Sequence, residues 1–371
     1  MTRPTWAEVD LEAVAHNVAE LARIAAPAQV CAVVKADGYG HGAVPVARAA
    51  LAAGATWLGV AMVEEGVELR RAGIDAPVLV LSEPDPTGVA DVVAHRLRPT
   101  VYRRSTIDAL ADAADTAGAA EPVPVHLKVD TGMHRVGAPS DELVGLAAAV
   151  RERSQLVLEG VSTHCAVADQ PGHGFTAIQI DRFDAALAAL DGAGLRPPIV
   201  HAANSAAAID HPRSRHDLVR CGITVYGIAP AAALAGRADL RPALRLRSAA
   251  SLLRAVPAGD GISYGLRHTF SRDSVVATVP VGYADGMPRR LGTTGGEVLV
   301  GGRRCPIAGT VTMDQITVDV TDAGPVAVGD EVVLIGAQGD ERITADEWAE
   351  RLGTIAYEIV CGIGPRVPRH Y

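Results

Sequence analysis

The sequence is short of cysteine, and its few cysteines lack the spacing of a covalent framework. The 371 residues include five, and no two of them form a C-x-x-C pair. An odd number of widely spaced cysteines predicts neither a disulfide framework nor a structural zinc site, and we expect no metal ion. Cys31, Cys165 and Cys221 lie in or beside apolar runs, and we expect them to be small buried hydrophobes. These features fit a reduced, cytoplasmic compartment.

The sequence also lacks a basic block and a long apolar run. Its net charge is -9, and no cluster of Lys and Arg offsets it, which argues against nucleic acid or an anionic membrane as a partner. No apolar run reaches the length of a membrane span. The amino end, MTRPTWAEVDLEAVAHN, has no apolar segment typical of a signal peptide. With 49% hydrophobic and 21% charged residues, the composition is typical of a soluble enzyme.

Eight short apolar runs alternate with Ala- and Leu-rich amphipathic stretches over the first two-thirds of the chain. This alternation predicts an α/β fold with a parallel sheet and helical crossovers. Eight strands close a (β/α)8 TIM barrel, which we place at residues 1–240, and an open doubly wound sheet is the alternative. The runs are Val30–Lys35, Thr56–Ala61, Pro77–Leu81, Leu97–Tyr102, Val123–Asp130, Leu156–His164, Pro198–Ala203 and Asp217–Cys221.

Polar residues repeatedly follow the carboxyl ends of these runs. This placement favours the barrel, because barrel enzymes carry their chemistry at that end of the strands. The residues are Lys35, Arg135, His164, Asn204, Ser205 and Arg220.

After about residue 240 the Ala-rich helical patterns give way to β-branched runs separated by turns. This change predicts a second, mostly β domain over residues 241–371. A short helix interrupts it, because Thr344 is a good N-cap and Glu347, three residues later, completes a capping box. The predicted strands are Ser274–Val281, Glu297–Val300, Gln315–Val320 and Glu331–Ile335.

The string VVKADGYGHG, residues 33–42, places a lysine at the mouth of an apolar run and a glycine-rich turn directly after it. A partly desolvated lysine has a lowered pKa and can form a Schiff base. Glycines let the backbone of a turn approach a phosphate closely. Together these features suggest pyridoxal 5'-phosphate (PLP) on Lys35, whereas a lone lysine in this place more simply reaches solvent.

The loops after the last two runs suit the phosphate of such a cofactor. Asn204-Ser205 and Gly222-Ile223 offer a hydroxyl and backbone N–H groups, although Asn-Ser is also a common helix N-cap. Arg220 precedes the second loop, and an arginine cannot pass a proton to a pyridine nitrogen because its pKa exceeds ~12. Many PLP enzymes use a carboxylate there, so Arg220 favours racemisation over aminotransfer. The alternative for Arg220 is an ion pair with an acid such as Asp217.

Six separated strings, in family order along nearly the whole chain, resemble motifs of the alanine racemases. The resemblance implies a PLP-dependent homodimer that interconverts L-alanine and D-alanine for peptidoglycan synthesis. It also implies that the C-terminal domain contributes to the partner's active site. The strings are VVKADGYGHG (33–42), HLKVDTGMHR (126–135), STHCA (162–166), LVRCGITVYG (218–227), ISYG (262–265) and TMDQ (312–315).

The resemblance assigns proton transfer to two bases. Lys35 acts on one face of the substrate Cα and Tyr264 of the neighbouring subunit acts on the other. His164 links Tyr264 to Arg220, which faces the pyridine nitrogen. The residues implied to bind the cofactor phosphate are Tyr39, Asn204, Ser205, Gly222, Ile223 and Tyr357.

Further residues are implied to bind the substrate or to shape its path. Arg135 and the partner's Met313 segment bind the substrate carboxylate, and Lys128 matches a position that is N-carboxylated in several relatives. Tyr283 and Arg289 resemble the corridor that keeps the pocket small.

The chain departs from the family pattern at two places. His134 stands where family members commonly carry Gly, and Thr310 follows Gly309 near a position that is usually Arg.

Other functions remain open at this point. A broader racemase that accepts serine or larger side chains is compatible with every motif. A barrel-only PLP-binding protein lacks a β domain, and the segment after residue 240 argues against it. In an amino-acid decarboxylase a carboxylate should face the pyridine nitrogen, and Arg220 argues against that.

Overall fold

The computed structural model describes residues 3–371, which divide into two compact units. The barrel unit consists of Leu11–Gly38 and Ala43–Pro242. The β unit consists of the described residues before Leu11, Tyr39–Gly42 and Ala243–Tyr371. This division differs from the predicted barrel domain of residues 1–240 at its amino end, because strand Trp6–Val9 pairs with Leu244–Ala249 of the β unit.

The strands of the described residues are numbered in chain order. Those up to the end of the barrel unit are β1 (Trp6–Val9), β2 (Gln29–Val33), β3 (Trp57–Val60), β4 (Val78–Val80), β5 (Arg98–Val101), β6 (Val123–Lys128), β7 (Leu156–Ser162), β8 (Ile199–His201) and β9 (Leu218–Cys221). The later strands are β10 (Leu244–Ala249), β11 (Leu252–Val256), β12 (Gly261–Ile262), β13 (His268–Thr269), β14 (Ser274–Val279), β15 (Glu297–Val300), β16 (Arg303–Pro306), β17 (Ile316–Asp319), β18 (Glu331–Gln338), β19 (Glu341–Ile343) and β20 (Arg369–His370).

Strands β2 to β9 form one parallel sheet in the order β8-β7-β6-β5-β4-β3-β2-β9. The last strand pairs with the first, with Gln29 opposite Leu218, so the sheet curls round into a nearly closed barrel. A doubly wound sheet would instead reverse its strand order at a switch point. Each predicted apolar run overlaps one of these strands. The barrel prediction is therefore confirmed and the open-sheet alternative is wrong.

The helices between the strands bury one apolar face. In the helix Arg104–Ala117, for example, Ile107, Leu110 and Ala114 are buried at the spacing of a helical stripe. That helix ends at Gly118, whose φ of 60° is the left-handed C-cap that glycine favours. The helices are α1 (Leu11–Ala25), α2 (Ala43–Ala52), α3 (Val63–Arg71), α4 (Val89–Ala94), α5 (Arg104–Ala117), α6 (Leu143–Arg151), α7 (Phe175–Gly192), α8 (Ser205–Asp210), α9 (Ala345–Leu352) and α10 (Ala356–Cys361). None of the helices in residues 3–371 has the length and hydropathy needed to cross a bilayer.

The barrel core contains the thiols that the sequence predicted to be buried. In the paired strands β2 and β9, Cys31 lies opposite Arg220, and Cys221 lies opposite Ala32. Burial raises the pKa of each of these thiols to about 12. Cys165 is also buried, and the prediction for all three cysteines is confirmed.

The β unit is mostly β, as predicted. One sheet has the order β16-β15-β18-β10-β1-β20 with β19 beside β18, a second has the order β11-β14-β17, and β12 and β13 form a hairpin. The four predicted strands overlap β14, β15, β17 and β18. Thr344 caps α9 as predicted, since its Oγ1 accepts from the Glu347 amide at 3.1 Å. No pattern predicted β1, which enters this sheet from the far end of the chain.

Candidate active site

The two lysines of the chain both lie at carboxyl ends of barrel strands. Lys35 and Lys128 are the only lysines among 371 residues, although arginine is abundant. Lys35 follows β2 after one residue, and Lys128 is the last residue of β6. The chain uses arginine for its other basic side chains and has lysine at these two positions. This scarcity is a sequence signal that would have singled out both residues.

The turn that begins at Lys35 is left-handed. The φ and ψ angles are near +50° at Ala36 and Asp37, and Gly38 has φ 61° and ψ 44°. This conformation costs L-residues roughly 1 kcal/mol each, and such strain is concentrated at functional sites. Two carboxylates hold the turn: Glu65 accepts from the Ala36 amide at 2.6 Å, and Asp37 accepts from the Ala43 amide at 2.9 Å. Sequence reasoning missed Glu65.

Lys128 is buried beside positive charges. Burial lowers the pKa of Lys128 to about 7, and the charges of Arg220, Arg135 and Lys35 lower it further. Its Nζ donates to the Leu81 carbonyl at 3.4 Å. A large fraction of Lys128 is therefore neutral near pH 7, which makes its amine a nucleophile.

Arg220 is buried in β9 and is held by its two terminal nitrogens. Nη1 donates to Nδ1 and the carbonyl of His201, at 2.8 and 3.0 Å. Nη2 donates to the Thr163 carbonyl at 2.8 Å, to the Ala202 carbonyl at 3.0 Å and to Nδ1 of His164 at 3.2 Å. Among the described residues no acceptor faces the remaining donor, Nε–H, so this group is available to a ligand.

The acid-pairing alternative for Arg220 is wrong. Asp217 instead accepts from the Val200 amide at 2.8 Å, and no carboxylate in the described chain lies within ion-pair distance of Arg220. Burial lowers the pKa of Arg220, but an arginine stays protonated in proteins. The positive charge in the barrel is therefore met by carbonyls and neutral imidazoles rather than by an anion.

His164 is neutral and its tautomer follows from its partner. Burial, and then the charge of Arg220, hold the pKa of His164 well below its usual value. Because Arg220 donates to Nδ1, the proton of the neutral ring lies on Nε2. His164 can thus pass a hydrogen bond outward from Arg220.

The loops after β8 and β9 meet through Ser205. Its Oγ accepts from the Gly222 amide at 2.9 Å and from Oγ1 of Thr224 at 3.0 Å. Asn204 is the N-cap of α8, since its Oδ1 accepts from the Ala207 amide at 3.0 Å. The structure thus brings Ser205 and Gly222 into direct contact, with Ile223 next in the chain. Thr224 was missed.

Two aromatic residues assigned to the phosphate come together in the β unit. The rings of Tyr39 and Tyr357 are 6.2 Å apart between centroids. Tyr39 is buried and Tyr357 is half-buried.

Comparison with known proteins assigns the chain to a family. The family model described as "Alanine racemase, N-terminal domain" matches residues 9–230, and "Alanine racemase, C-terminal domain" matches residues 243–371. The chain belongs to the alanine racemase family. The sequence-based prediction of the family, and with it of a racemase enzyme, is confirmed.

Curated relatives and solved structures match over almost their whole length. The alanine racemase of Symbiobacterium thermophilum is 52% identical over 369 residues, which cover 100% of this chain and 97% of that protein. That of Desulfovibrio desulfuricans is 43% identical and covers 100% and 98%. The crystal structure of alanine racemase from Streptomyces lavendulae has a TM-score of 0.93 at 40% identity, covering 100% and 97%. Alanine racemases are PLP-dependent enzymes. The alternative of a barrel-only binding protein is wrong, because the C-terminal racemase domain is present.

The remaining motif residues of the alanine racemase pattern lie on exposed segments. Tyr264 is 73% exposed, Met313 is 52% exposed and Tyr283 is 41% exposed. The Tyr283 and Ala284 amides donate to the carbonyls of Thr312 and Met313, so these two segments form one surface of the β unit. Arg289 is exposed at the start of a short 3-10 turn, and Arg135 is exposed in the loop after β6.

The two departures from the family pattern have structural roles. His134 has a φ of 56°, a left-handed conformation that glycine adopts without cost. Its Nδ1 lies 3.0 Å from Asp130 Oδ2, and its amide donates to the same carboxylate at 3.1 Å. Thr310 is buried, and its Oγ1 donates to the Tyr264 carbonyl at 3.2 Å.

Proposed function

We propose that this chain interconverts L-alanine and D-alanine in the cytoplasm as a PLP-bound homodimer, with Lys35 and the Tyr264 of a second copy as its two bases. The observation that carries the proposal is the hydrogen bonding of Arg220. A positively charged donor without an acid partner, with Nε–H open to a ligand, is suited to an unprotonated pyridine nitrogen. A carboxylate in its place would keep that nitrogen protonated.

The donors in the barrel unit suit PLP in charge and in chemistry. Lys35 would hold the cofactor through its amine, and Arg220 would donate to the ring nitrogen. Ser205, whose hydroxyl accepts from the Gly222 amide and keeps its own proton to donate, would hold the phosphate with the Ile223 amide and Asn204. When bound, PLP supplies an electron sink for the pair released when the Cα proton leaves.

Racemisation needs one proton removed from one face of Cα and another delivered to the opposite face. We assign the first face to the Lys35 amine, which lies at the end of β2 in a turn held by Glu65 and Asp37. We assign the second to the Tyr264 hydroxyl of another copy, because Tyr264 is largely exposed on its own chain. Each correctly placed acid or base typically contributes ~10² to 10⁴ in rate. His164, with its proton on Nε2, would donate to the tyrosine oxygen and help it to hold negative charge.

Arg135 would bind the substrate carboxylate, with the partner's Met313 segment completing the pocket, and Lys128 would orient Arg135. The lowered pKa of Lys128 supports addition of carbon dioxide. The Nζ lone pair forms a bond to the carbon of CO2, and the nitrogen releases a proton to solvent. The resulting anion would orient Arg135. Tyr283 and Arg289 would line the entry to the pocket, so that only small substrates can enter.

The test is the initial rate of D-alanine formation from L-alanine by the PLP-saturated protein, beside serine and lysine as alternative substrates. We expect fast turnover that prefers alanine. Equal turnover of serine would replace the proposal by a broader racemase. A protein that binds PLP through Lys35 but turns over none of the three would contradict it.

A further inference from the structure

A buried chain of side chains runs from Arg220 to a carboxylate that sequence reasoning did not select. Arg220 Nη1 is 2.8 Å from His201 Nδ1, and His201 Nε2 is 2.8 Å from His126 Nδ1. The other nitrogen of that ring, His126 Nε2, is 3.0 Å from Glu159 Oε2. His126 and His201 have exposed fractions of 0% and 1%, and all four residues belong to the barrel unit.

The direction of each hydrogen bond between Arg220 and Glu159 follows from the arginine at one end of the series. An arginine only donates, so His201 Nδ1 must accept. Burial, and then the charge of Arg220, hold the pKa of His201 well below its usual value, so the ring is neutral and its proton lies on Nε2. That proton is donated to His126 Nδ1. Burial also lowers the pKa of His126, so this ring is neutral too. Because its Nδ1 accepts from His201, its own proton lies on Nε2 and is donated to Glu159.

The local structure of the barrel brings these side chains together. Strands β6 and β7 shift register between Val125 and His126, so that Glu159 is the extra residue of a β-bulge. Such bulges re-aim side chains, and here the carboxylate reaches the neighbouring strand. Gly160, the next residue, lies against the His126 ring: a Cβ there would be 2.2 Å from Nδ1. The rings of Trp57 and His126 pack in a T-shaped arrangement, with their centroids 5.5 Å apart.

We propose that Glu159, His126 and His201 are positioning residues that fix the guanidinium of Arg220 through this one-directional relay. The carboxylate holds His126 in its Nε2–H tautomer, which keeps His201 in the same tautomer and leaves a lone pair facing Arg220. Hydrogen bonds in such a series polarise one another, so the charge of Glu159 strengthens the bond to Arg220 two rings away. Arg220 is then held by Nη1 and Nη2, and its Nε–H keeps one direction.

The relay rests on the proposed function in one respect, namely that Nε–H serves the cofactor. Its first test is independent of activity. In the NMR spectrum of the PLP-loaded full-length protein with 15N-labelled histidine, we expect the rings of His126 and His201 to show a protonated Nε2 and an unprotonated Nδ1. Signals would be assigned from the variants His126→Asn and His201→Asn. A proton on Nδ1 of either ring in the wild type would overturn the relay.

A second NMR spectrum tests whether the charge of Glu159 affects His201 through the hydrogen bonds that connect them. Glu159→Gln removes the charge and keeps the shape. We expect the ring signals of His201 to shift in this variant although Glu159 does not touch that residue. Glu152→Gln, an exposed glutamate of the same unit, is the matched control and should leave them in place. Unchanged His201 signals in Glu159→Gln would overturn the proposal.

Kinetics then tests coupling to Arg220. Asn at position 201 can still present an acceptor to Arg220 but interrupts the path to Glu159. We expect Glu159→Gln to lower kcat about tenfold with little change in KM, the size of one charge-assisted hydrogen bond. In the His201→Asn background the same change should have no further effect. Additive losses, or no loss in the single variant, would overturn the relay, whereas an inactive wild type would count against the proposed function and leave the spectra to decide.

Discussion

Thr310 Oγ1 donates to the backbone carbonyl of Tyr264 at 3.2 Å. The Thr310 carbonyl in turn accepts from Ser263 Oγ at 2.9 Å, so this threonine is bonded to two consecutive residues of the Tyr264 loop. Ser263 itself has a φ of 63°, a strained value for a residue with a side chain. A buried hydroxyl that departs from the family sequence therefore helps to hold the segment that carries the proposed second base.

Thr310→Val should loosen the Tyr264 loop. The substitution keeps the shape but removes one donor, which costs about 1 kcal/mol in the free energy of unfolding. We expect kcat to fall about fivefold, because the tyrosine hydroxyl is placed less well. Urea denaturation and steady-state kinetics measure the two effects. Thr116→Val, which removes an exposed hydroxyl bound to a helix carbonyl, is the control and should leave kcat unchanged.

The left-handed backbone of His134 and its side-chain contact with Asp130 can be tested by comparing the free energies of unfolding of the wild type, His134→Ala and His134→Gly. His134→Ala keeps the left-handed strain and loses the side-chain contact with Asp130, so we expect it to be the least stable. His134→Gly loses the same contact but relieves the strain, and it should recover about 1 kcal/mol relative to the alanine variant. Urea unfolding measures the order. An alanine variant as stable as the glycine variant would show that the positive φ carries no cost.

Lys128 predicts a pH dependence of stability. Its pKa is about 7 in the folded protein against 10.5 as the ordinary value. Between these values the unfolded chain binds more protons, so the free energy of unfolding rises with pH across the window from about 7 to 10.5. Below the window the buried charge destabilises the fold fully. Lys128→Met should therefore be more stable than the wild type at low pH, by on the order of a few kcal/mol, and this advantage should shrink as pH rises.

The Lys128 measurement requires carbon-dioxide-free buffer, since carbamate formation would change the charge of the same nitrogen. Denaturant titrations at several pH values give the comparison. A constant difference between the two proteins across the window would contradict the lowered pKa.

The cofactor lysine can be identified without ambiguity, because the chain has only two lysines. Borohydride reduction of the PLP-loaded protein should fix the cofactor on the peptide that contains Lys35, and mass spectrometry reads the site. Lys35→Ala should lose the yellow Schiff-base absorbance after dialysis. Label on the Lys128 peptide would reject the assignment.

Tyr264→Ala should impair α-proton exchange of one alanine enantiomer more than of the other. In the proposed scheme each base serves one face of Cα. Exchange of deuterium from solvent into L-alanine and into D-alanine, measured separately, gives the two rates. An equal loss in both directions would argue against the two-base scheme.

Several structural features were predictable because they are local in sequence. The eight barrel strands follow from apolar runs such as Val123–Asp130, and the cap at Thr344 follows from a side chain and an amide three residues apart. The family strings located Lys35, Arg220 and Tyr264, since each motif is continuous along the chain. Their assigned roles stay predictions.

The sequence by itself determined the alternation of strands and helices and the placement of both lysines at strand ends. Only the tertiary structure decided which donors of Arg220 are already used, because its acceptors lie at or just after the carboxyl ends of β7 and β8, up to 57 positions away in the chain. It also decided that Glu159 meets His126, since the bulge that turns the carboxylate exists only when β7 pairs with β6. Hydrogen-bond partners from different strands are fixed by register and packing, and no local pattern of residues encodes them.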